Sequence, residues 1–315
     1  MKKTIILFLL LIPTLVFATT DDSSVKFDRG QELYDLHKYS DAYNIFKTLS
    51  AQNEPRSQFK LGVMFYFGKG VNQDYEKAVY WYRKAAEQGM PEAQYNLGLR
   101  YKKGTGVPIN LKKAVQWYIK AANQGMPEAQ YSLGYCYEYG RGIDKNFDEA
   151  FKWYKKAAEQ GLPIAQFAVG QEFYWGNHIK QDYSSAFSWY KKAADQGYHR
   201  AQNTIGVMYF EGEGVKKDLE KATYWYRKAA EQGYAESQFN LAIKYEKGSG
   251  IKKDIDQAIN WYTKAAEQGH KKAQFNLGLI YYRAKNHKEA EKCFLKSVDQ
   301  GVTRAKYFLG LVRSK

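Results

Sequence analysis

Tyr75-Glu-Lys-Ala-Val-Tyr-Trp-Tyr-Arg-Lys-Ala-Ala-Glu-Gln-Gly89 is a stretch that the chain repeats six times with small changes. Its tryptophan and its closing glycine each recur at a constant step of 36 residues. The tryptophans are Trp81, Trp117, Trp153, Trp189, Trp225 and Trp261, and the glycines are Gly89, Gly125, Gly161, Gly197, Gly233 and Gly269. A fixed period of about 20–50 residues is typical of stacked repeat proteins. The repeat therefore decides the fold.

Each repeat contains the signals of a helical hairpin. Leu97-Gly98 and Tyr101 illustrate the first helix, and a loop with two glycines then allows a tight reversal. A residue of strong N-cap type precedes every second helix, which carries apolar residues at helical spacing and ends at the closing glycine. These cap residues are Asp74, Asn110, Asn146, Asp182, Asp218 and Asp254. The agreement of cap, apolar stripe and stop predicts two helices in each repeat.

The repeat motif resembles that of a known family. Leu-Gly-x-x-Tyr, Gly-x-Gly-Val and Lys-Ala-x-x-Trp-Tyr-x-Lys-Ala-Ala-Glu-Gln-Gly are similar to the Sel1-like repeat, a variant of the tetratricopeptide repeat, from Arg56 to Gly269. The resemblance implies an all-α, right-handed α/α superhelical solenoid of about eight helical hairpins plus a C-terminal helix. The predicted segments are 1–18 (signal peptide), 19–25 (flexible), 26–55 (capping hairpin), 56–271 (six Sel1-like repeats), 272–301 (tetratricopeptide-like hairpin) and 302–315 (capping helix).

The N-terminus and the charge indicate where the protein acts. Lys2 and Lys3, the apolar stretch 5–17 and Val16-Phe17-Ala18 are typical of a secretory signal with its cleavage site. We therefore expect export, to the periplasm or outside the cell. The formal net charge of +15 favours acidic partners. Cys136 and Cys293 lie about four repeats apart, so we expect two separate thiols.

The residues that could act in catalysis either recur with the 36-residue repeat or lack the companion residues that catalysis requires. The five histidines lack metal-ligand spacing, so we expect no metal. Glu87, Glu159, Glu231 and Glu267 occupy one repeated position, whereas a catalytic pair occurs once. Ser-x-x-Lys occurs four times without its companion motifs Ser-Asp-Asn and Lys-Thr-Gly. We therefore predict a protein without catalytic residues or cofactors. The lysines repeated at the position of Lys84 are either scaffold consensus or a basic ladder that binds anions.

The surface remains as the candidate site. By resemblance, the first helices line the concave side of the superhelix, where aromatic side chains form a lane. The candidate partner-binding residues are Tyr95, Tyr131, Tyr135, Tyr139, Phe167, Tyr174, Trp175 and Phe210. Many aromatics at helical spacing belong to a core, but Tyr135, Tyr139, Tyr174 and Trp175 stand at positions that vary between repeats. Near Trp175 the loop also departs from the pattern, with His178 in place of the second glycine.

These observations lead to one leading hypothesis and two alternatives. The leading hypothesis is an exported, non-catalytic scaffold that binds protein partners, acidic ones above all, in its aromatic groove. The resemblance links such proteins to host interaction or to assembly of the envelope. One alternative is an enzyme acting on β-lactams or cell wall, or its regulator. The other is a basic adaptor for an anionic membrane surface or glycan. We do not expect a nucleic-acid partner, and the oligomeric state stays open.

Overall fold

Seventeen α-helices make up the part of the chain that the computed structural model describes, residues 22–314. They form two compact units, which divide between Asn110 and Leu111. Unit 1 contains α1 (Asp22–Asp35), α2 (Tyr39–Ala51), α3 (Pro55–Phe67), α4 (Tyr75–Glu87) and α5 (Pro91–Lys103). The predicted signal segment 1–18 lies outside the described residues.

Unit 2 holds the other twelve helices. They are α6 (Leu111–Asn123), α7 (Pro127–Tyr139), α8 (Phe147–Glu159), α9 (Pro163–Trp175), α10 (Tyr183–Asp195), α11 (His199–Glu211), α12 (Leu219–Glu231), α13 (Ala235–Lys247), α14 (Ile255–Glu267), α15 (Lys271–Arg283), α16 (His287–Asp299) and α17 (Thr303–Arg313). Within each unit, successive helices pack as antiparallel hairpins and successive hairpins pack on one another. The prediction of an all-α solenoid of helical hairpins is confirmed.

The second helices begin where the cap residues predict. The side chain of Asp218 accepts a hydrogen bond from the backbone N–H of Lys221, at 2.9 Å, and so satisfies a free donor in the first turn of α12. Asp74, Asn146, Asp182 and Asp254 cap their helices in the same way. The first helices α5, α7 and α9 begin with proline, whose missing N–H is not needed there.

The Leu-Gly motif lets the two helices of a hairpin approach each other. In the hairpin of α11 and α12, a Cβ on Gly206 would lie 2.7 Å from the ring of Tyr226, which is itself buried. Gly134 and Gly170 face Tyr154 and Tyr190 in the same manner. This repeated tyrosine is among the largest fully buried side chains of the stack, with Tyr190 and Tyr262 as examples. The core of these hairpins therefore forms where a glycine on one helix meets an aromatic ring on the other, whereas Ala242 stands at the glycine position in the hairpin of α13 and α14.

The two ends of the described chain differ in how well they were predicted. Helix α1 begins at Asp22, so residues 22–25 of the segment expected to be flexible are helical. Asp22 forms an ion pair with Lys26 one turn later, and Phe27 packs into the first core cluster, which together hold this turn. The C-terminal helix α17 buries Ala305, Leu309 and Val312 as predicted. Within residues 22–314, every helix is too short or too polar to cross a membrane.

Candidate functional site

The last residues of the first helices form a row of equivalent, exposed positions in unit 2. We call this row the helix-end strip; it consists of Tyr139, Trp175, Glu211, Lys247 and Arg283. Each residue directly precedes the loop of its hairpin, and each is exposed. The strip begins with two aromatic side chains and continues with an acid and two cations. Its residues differ from one hairpin to the next, whereas the buried positions repeat.

Tyr139 begins the strip and is the centre of a small aromatic cluster. Its side chain is 54% exposed. The ring of Tyr135 lies beside it, with 4.6 Å between ring centroids, and the guanidinium carbon of Arg141 lies 5.8 Å from the Tyr135 ring. A hydrogen bond with Glu138 raises the pKa of the Tyr139 hydroxyl, so this group remains a neutral donor and acceptor. The cluster therefore offers an apolar surface with polar edges.

Trp175 is the second aromatic residue of the strip, and its side chain is 61% exposed. It packs edge-on against Tyr174, with 4.9 Å between ring centroids. The Tyr174 hydroxyl donates a hydrogen bond to Glu213 in the next hairpin, at 2.6 Å. Burial and this hydrogen bond raise the pKa of Tyr174. Tyr174 is thus a fixed support, and Trp175 is the side chain that is free to contact a partner.

The loop after Trp175 departs from the pattern for a steric reason. In the regular loops the second glycine lies against a backbone carbonyl; a Cβ on Gly214 would lie 2.1 Å from the carbonyl oxygen of Tyr183. His178 carries a side chain at this position and does not adopt the left-handed φ of the glycines. Its ring stacks on Phe147, with 3.5 Å between centroids, and its Nδ1 lies 3.1 Å from a carboxylate oxygen of Glu172. The loop therefore has its own anchor beside the exposed indole.

Phe210 lies next to a buried cation. It is half-buried, and the Nζ of Lys244 lies 3.3 Å from its ring centroid. Lys217 also approaches this ring, at 5.3 Å. Lys244 is only 5% exposed, and burial, reinforced by the charge of nearby Lys247, lowers its pKa to about 8. Phe210 is therefore committed to an internal cation–π contact and presents little free surface.

Three other predicted residues do not form a free surface. Phe167 is 5% exposed and lies between Tyr190 and Tyr198, with centroids 5.2 and 5.4 Å away, so its assignment to a partner surface was wrong. Its ring fills the core between consecutive hairpins. Tyr131 is half-buried against Tyr154, and burial raises its pKa to about 12. Tyr95 is half-buried in unit 1. Of the predicted residues in unit 2, Tyr135, Tyr139 and Trp175 therefore remain candidates for partner contact, and Tyr174 supports Trp175.

The repeated lysines have a structural partner. The Nζ atoms of Lys156 and Lys192 lie 4.1 and 4.0 Å from the rings of Trp153 and Trp189, one turn earlier on the same helix. Lys120 and Lys264 make the same contact with Trp117 and Trp261. A cation over an indole face is stabilising and covers apolar surface. Lys84 and Lys228 lie instead over Tyr80 and Tyr224, each at 5.3 Å, so every repeated lysine has an aromatic partner on its own helix.

Sequence reasoning missed two residues. Lys244 is buried at a position that varies between repeats. Cys136 and Met208 stand there in two other hairpins of unit 2, but Glu172 and, in unit 1, the buried Arg100 are equivalent too, so the sequence alone does not mark the lysine as buried. Phe67 in unit 1 is exposed at the position equivalent to Tyr139 and Trp175. The two cysteines are separate thiols, as expected. Among residues 22–314, there is no group of three or more His, Cys, Asp or Glu side chains that could hold a metal ion.

The repeated helical hairpins and the variable exposed strip define a helical-repeat protein. The Sel1 repeat model matches six consecutive segments, 55–90, 91–126, 127–162, 163–198, 199–234 and 235–270, and a tetratricopeptide repeat model matches 253–301. The chain belongs to the Sel1 repeat family. Proteins of this family are generally scaffolds for protein interactions and are typically non-catalytic.

Two solved structures support this membership. A Sel1 repeat protein from Oxalobacter formigenes is 37% identical, with a TM-score of 0.70, and the match covers 76% of this chain and 96% of that one. A protective antigen present in uropathogenic Escherichia coli strains, which displays an SLR fold, is also 37% identical, with a TM-score of 0.82. That match covers 87% of this chain and 59% of the antigen, so the chain spans about three fifths of its length. No curated protein matches the chain.

Proposed function

We propose that the chain is an exported, non-catalytic scaffold that binds a partner polypeptide along the first helices of unit 2. The observation that carries this proposal is the exposure of Tyr139 and Trp175 at equivalent ends of successive first helices. Large aromatic side chains on rigid supports contribute much of the energy of protein interfaces, because they bury a large area and lose little conformational entropy. Tyr135 and Tyr174 hold the two rings in place.

The charges along the strip indicate which partner fits. Beyond the two aromatics, the strip continues with Glu211, Lys247 and Arg283, and the whole chain has a net charge of +15. A segment that places apolar side chains on Tyr139 and Trp175 and acidic side chains on Lys247 and Arg283 is complementary to it. We therefore propose an acidic protein partner rather than a membrane surface or glycan.

The N-terminal sequence supports export. Lys2, Lys3 and the apolar stretch that follows are typical of a secretory signal. One similar structure is that of a protective antigen of uropathogenic E. coli. We propose that the scaffold acts in host interaction or in assembly of the bacterial envelope, and the origin of the captured partner distinguishes these two settings.

The test compares two double variants of the full chain in affinity capture, from an envelope extract and from a host-cell lysate at moderate salt. Tyr139→Ala with Trp175→Ala removes the two exposed aromatics of the strip. The matched control, Tyr224→Ala with Tyr307→Ala, removes two equally exposed tyrosines on α12 and α17. We expect the strip variant to bind the captured partner at least about 30-fold more weakly by calorimetry, a loss of about 2 kcal/mol. The control should retain the native affinity.

Two results would contradict the proposal. If both double variants bind the partner as the native chain does, the strip is not the interface. If only anionic lipid or glycan is retained and moderate salt releases it, the basic surface replaces the aromatic strip as the site, because exposed charges are screened over about 8–10 Å near physiological ionic strength. Circular dichroism shows whether each variant keeps the helix content of the native chain.

A further inference from the structure

The last hairpin of unit 2 lacks the tryptophan that every regular repeat carries. In the regular repeats the tryptophan stands eight residues before the closing glycine, as Trp261 does before Gly269. The last hairpin closes at Gly301, and the residue at the same distance is Cys293. Its neighbour Phe294 takes the place of the repeated tyrosine and is fully buried. The hairpin therefore keeps the rest of the packing pattern but replaces an indole with a thiol.

The repeated tryptophan fills the space between consecutive second helices. Trp225 on α12 packs on Ala186, Tyr190, Ala193 and Ala194 of α10. Trp189 and Trp261 pack in the same way on α8 and α12. Cys293 on α16 reaches the corresponding cluster on α14, which contains Ala258, Tyr262 and Ala265. The Cys293 side chain thus points towards α14, as an indole would, but it is much smaller than an indole.

A cavity of about 410 Å³ lies at the position of the missing indole. Cys293 and Leu277 contribute to its wall, together with Thr263 and Ala266 of α14. Thr263 stands where the long side chain of Lys191 covers Trp225 in an earlier hairpin, 5.4 Å from the ring. Thr263 and Cys293 thus stand where the larger Lys191 and Trp225 close the equivalent space between α10 and α12. The exposed side chains of Glu267, Lys292 and Lys296 also line the cavity, so it opens to solvent.

The hydrogen bonding within the last hairpin is also incomplete. In earlier repeats a buried glutamine of the first helix accepts a hydrogen bond from the glutamine that ends the second helix of the same hairpin. Gln202 accepts from Gln232 at 2.7 Å, and Gln238 accepts from Gln268 at 2.8 Å. Gln274 is the equivalent acceptor and lines the cavity, but its Oε1 is buried without a hydrogen-bond partner. A buried acceptor without a partner is costly, so the packing beside the cavity is less complete than in the earlier hairpins.

We propose that this cavity, the indole pocket, binds the tryptophan side chain of a partner polypeptide. The chain itself identifies the occupant, because the indoles of Trp189, Trp225 and Trp261 fill the equivalent space in regular repeats of unit 2. The size is sufficient: about 150 Å³ of apolar cavity holds a benzene ring, and ligand pockets begin at about 300 Å³. A second copy of the chain is disfavoured as the source, because two chains with a net charge of +15 repel each other.

The thiol in the pocket serves as an apolar surface. Burial raises the pKa of Cys293 to about 11, so the thiol is protonated and uncharged at neutral pH. A neutral thiol behaves as a small apolar group and suits contact with an aromatic ring. The pocket is lined by α14, α15 and α16 and contains no residue of the helix-end strip, so this inference stands apart from the proposed function.

The experiment measures binding of two matched peptides to the full chain by saturation-transfer NMR. The probe is acetyl-Gly-Gly-Trp-Gly-Gly-amide, and the control peptide carries leucine in place of tryptophan. We expect transfer to the indole protons of the probe with the native chain and with Cys293→Ala, which keeps the pocket open. Cys293→Trp restores the residue of the regular repeats and fills the pocket, so we expect at least a tenfold weaker signal.

A second occluding variant keeps the test decisive if the new indole does not pack. Thr263→Lys restores the cover seen at Lys191 from the other side of the pocket and should also reduce the signal at least tenfold. Equal signals from the native chain and both occluding variants would overturn the proposal, as would equal binding of the leucine peptide. Self-association of the native chain that Trp175→Ala abolishes would show that the indole comes from a second copy, which also contradicts it. The peptide signal does not depend on Tyr139, so failure here leaves the proposed function untouched.

Discussion

The second helices of unit 2 carry the same tryptophan and lysine from one regular hairpin to the next, whereas the last residues of its first helices change at every step. The repeated residues hold the stack together: Lys192 lies over Trp189, and Trp225 belongs to the same buried cluster as Tyr190. The variable residues, Tyr139 and Trp175 among them, extend into solvent. In a repeat protein each hairpin must fit its neighbours, so positions that hold the stack are uniform. Positions free to vary are available for recognition.

The largest expected effect comes from the same substitution at two tryptophans. Trp225 is 8% exposed in the core between α10 and α12, whereas Trp175 is 61% exposed on the strip. Trp225→Ala should lower the free energy of unfolding by about 3–5 kcal/mol, because it leaves a large cavity. Trp175→Ala should change it by less than about 0.5 kcal/mol. Urea unfolding followed by circular dichroism measures both.

That pair of variants tests the comparison directly. If Trp175→Ala destabilises the fold as much as Trp225→Ala, the exposed indole is part of the scaffold, and the helix-end strip is not a partner-binding surface. Tyr224→Ala is the matched control, because Tyr224 is an exposed aromatic on a second helix and should also be neutral.

A smaller effect on the free energy of unfolding is expected at the second loop glycine, which is among the positions that repeat between regular hairpins. Gly214 has a φ of +67°, and a Cβ there would lie 2.1 Å from the carbonyl oxygen of Tyr183. Gly214→Ala should therefore cost about 2 kcal/mol, since the strained φ and the contact with a fixed backbone atom act together. Thermal unfolding beside Gly233→Ala, where φ is also positive but the site is open, separates the contact from the strain.

The irregular loop at His178 shows how the prediction for Gly214→Ala could fail. There the chain already carries a side chain at the glycine position and follows another path, with its ring on Phe147. If Gly214→Ala costs no more than Gly233→Ala, the regular loops can take the same path. The departure at His178 would then be neutral drift rather than a specific arrangement beside Trp175.

Periodicity explains how much the sequence could predict. Caps, glycines and apolar spacing give the regular hairpins, because each signal is local and repeats six times. Helix α1 was misplaced at its start because it lies outside the repeats, where Asp22 and Lys26 pair with no motif to mark them. Phe167 was misassigned because helical spacing alone does not distinguish the face between consecutive hairpins from the free face.

The indole pocket shows a different limit. Alignment of the closing glycines is enough to find Cys293 at a tryptophan position. Whether the neighbouring helices close around the smaller residue is a matter of packing, which the sequence does not encode locally. The structure leaves a cavity of about 410 Å³ there, beside the unpaired oxygen of Gln274.

The smallest expected effect concerns Lys244, a cation buried at the position that Met208 and Cys136 occupy in two other hairpins of unit 2. Burial lowers its pKa from 10.5 to about 8, so between these pH values the unfolded chain binds more protons than the folded chain. The free energy of unfolding therefore gains a contribution that rises with pH across this window. Below about pH 8 the lysine is charged in both states, and the folded state bears the full cost of a buried charge.

Lys244→Met introduces the residue type of Met208 and should stabilise the chain by about 1 kcal/mol at neutral pH. The difference between variant and native chain should shrink as the pH rises from 8 towards 10.5. Urea unfolding at several pH values measures this difference, in which the titration of other groups cancels. Lys228→Met, which removes an exposed and repeated lysine, is the matched control and should change the free energy of unfolding by less than about 0.5 kcal/mol. A native chain more stable than Lys244→Met at pH 7 would instead mean that the cation is held in place by Phe210, and that this buried contact contributes to the scaffold.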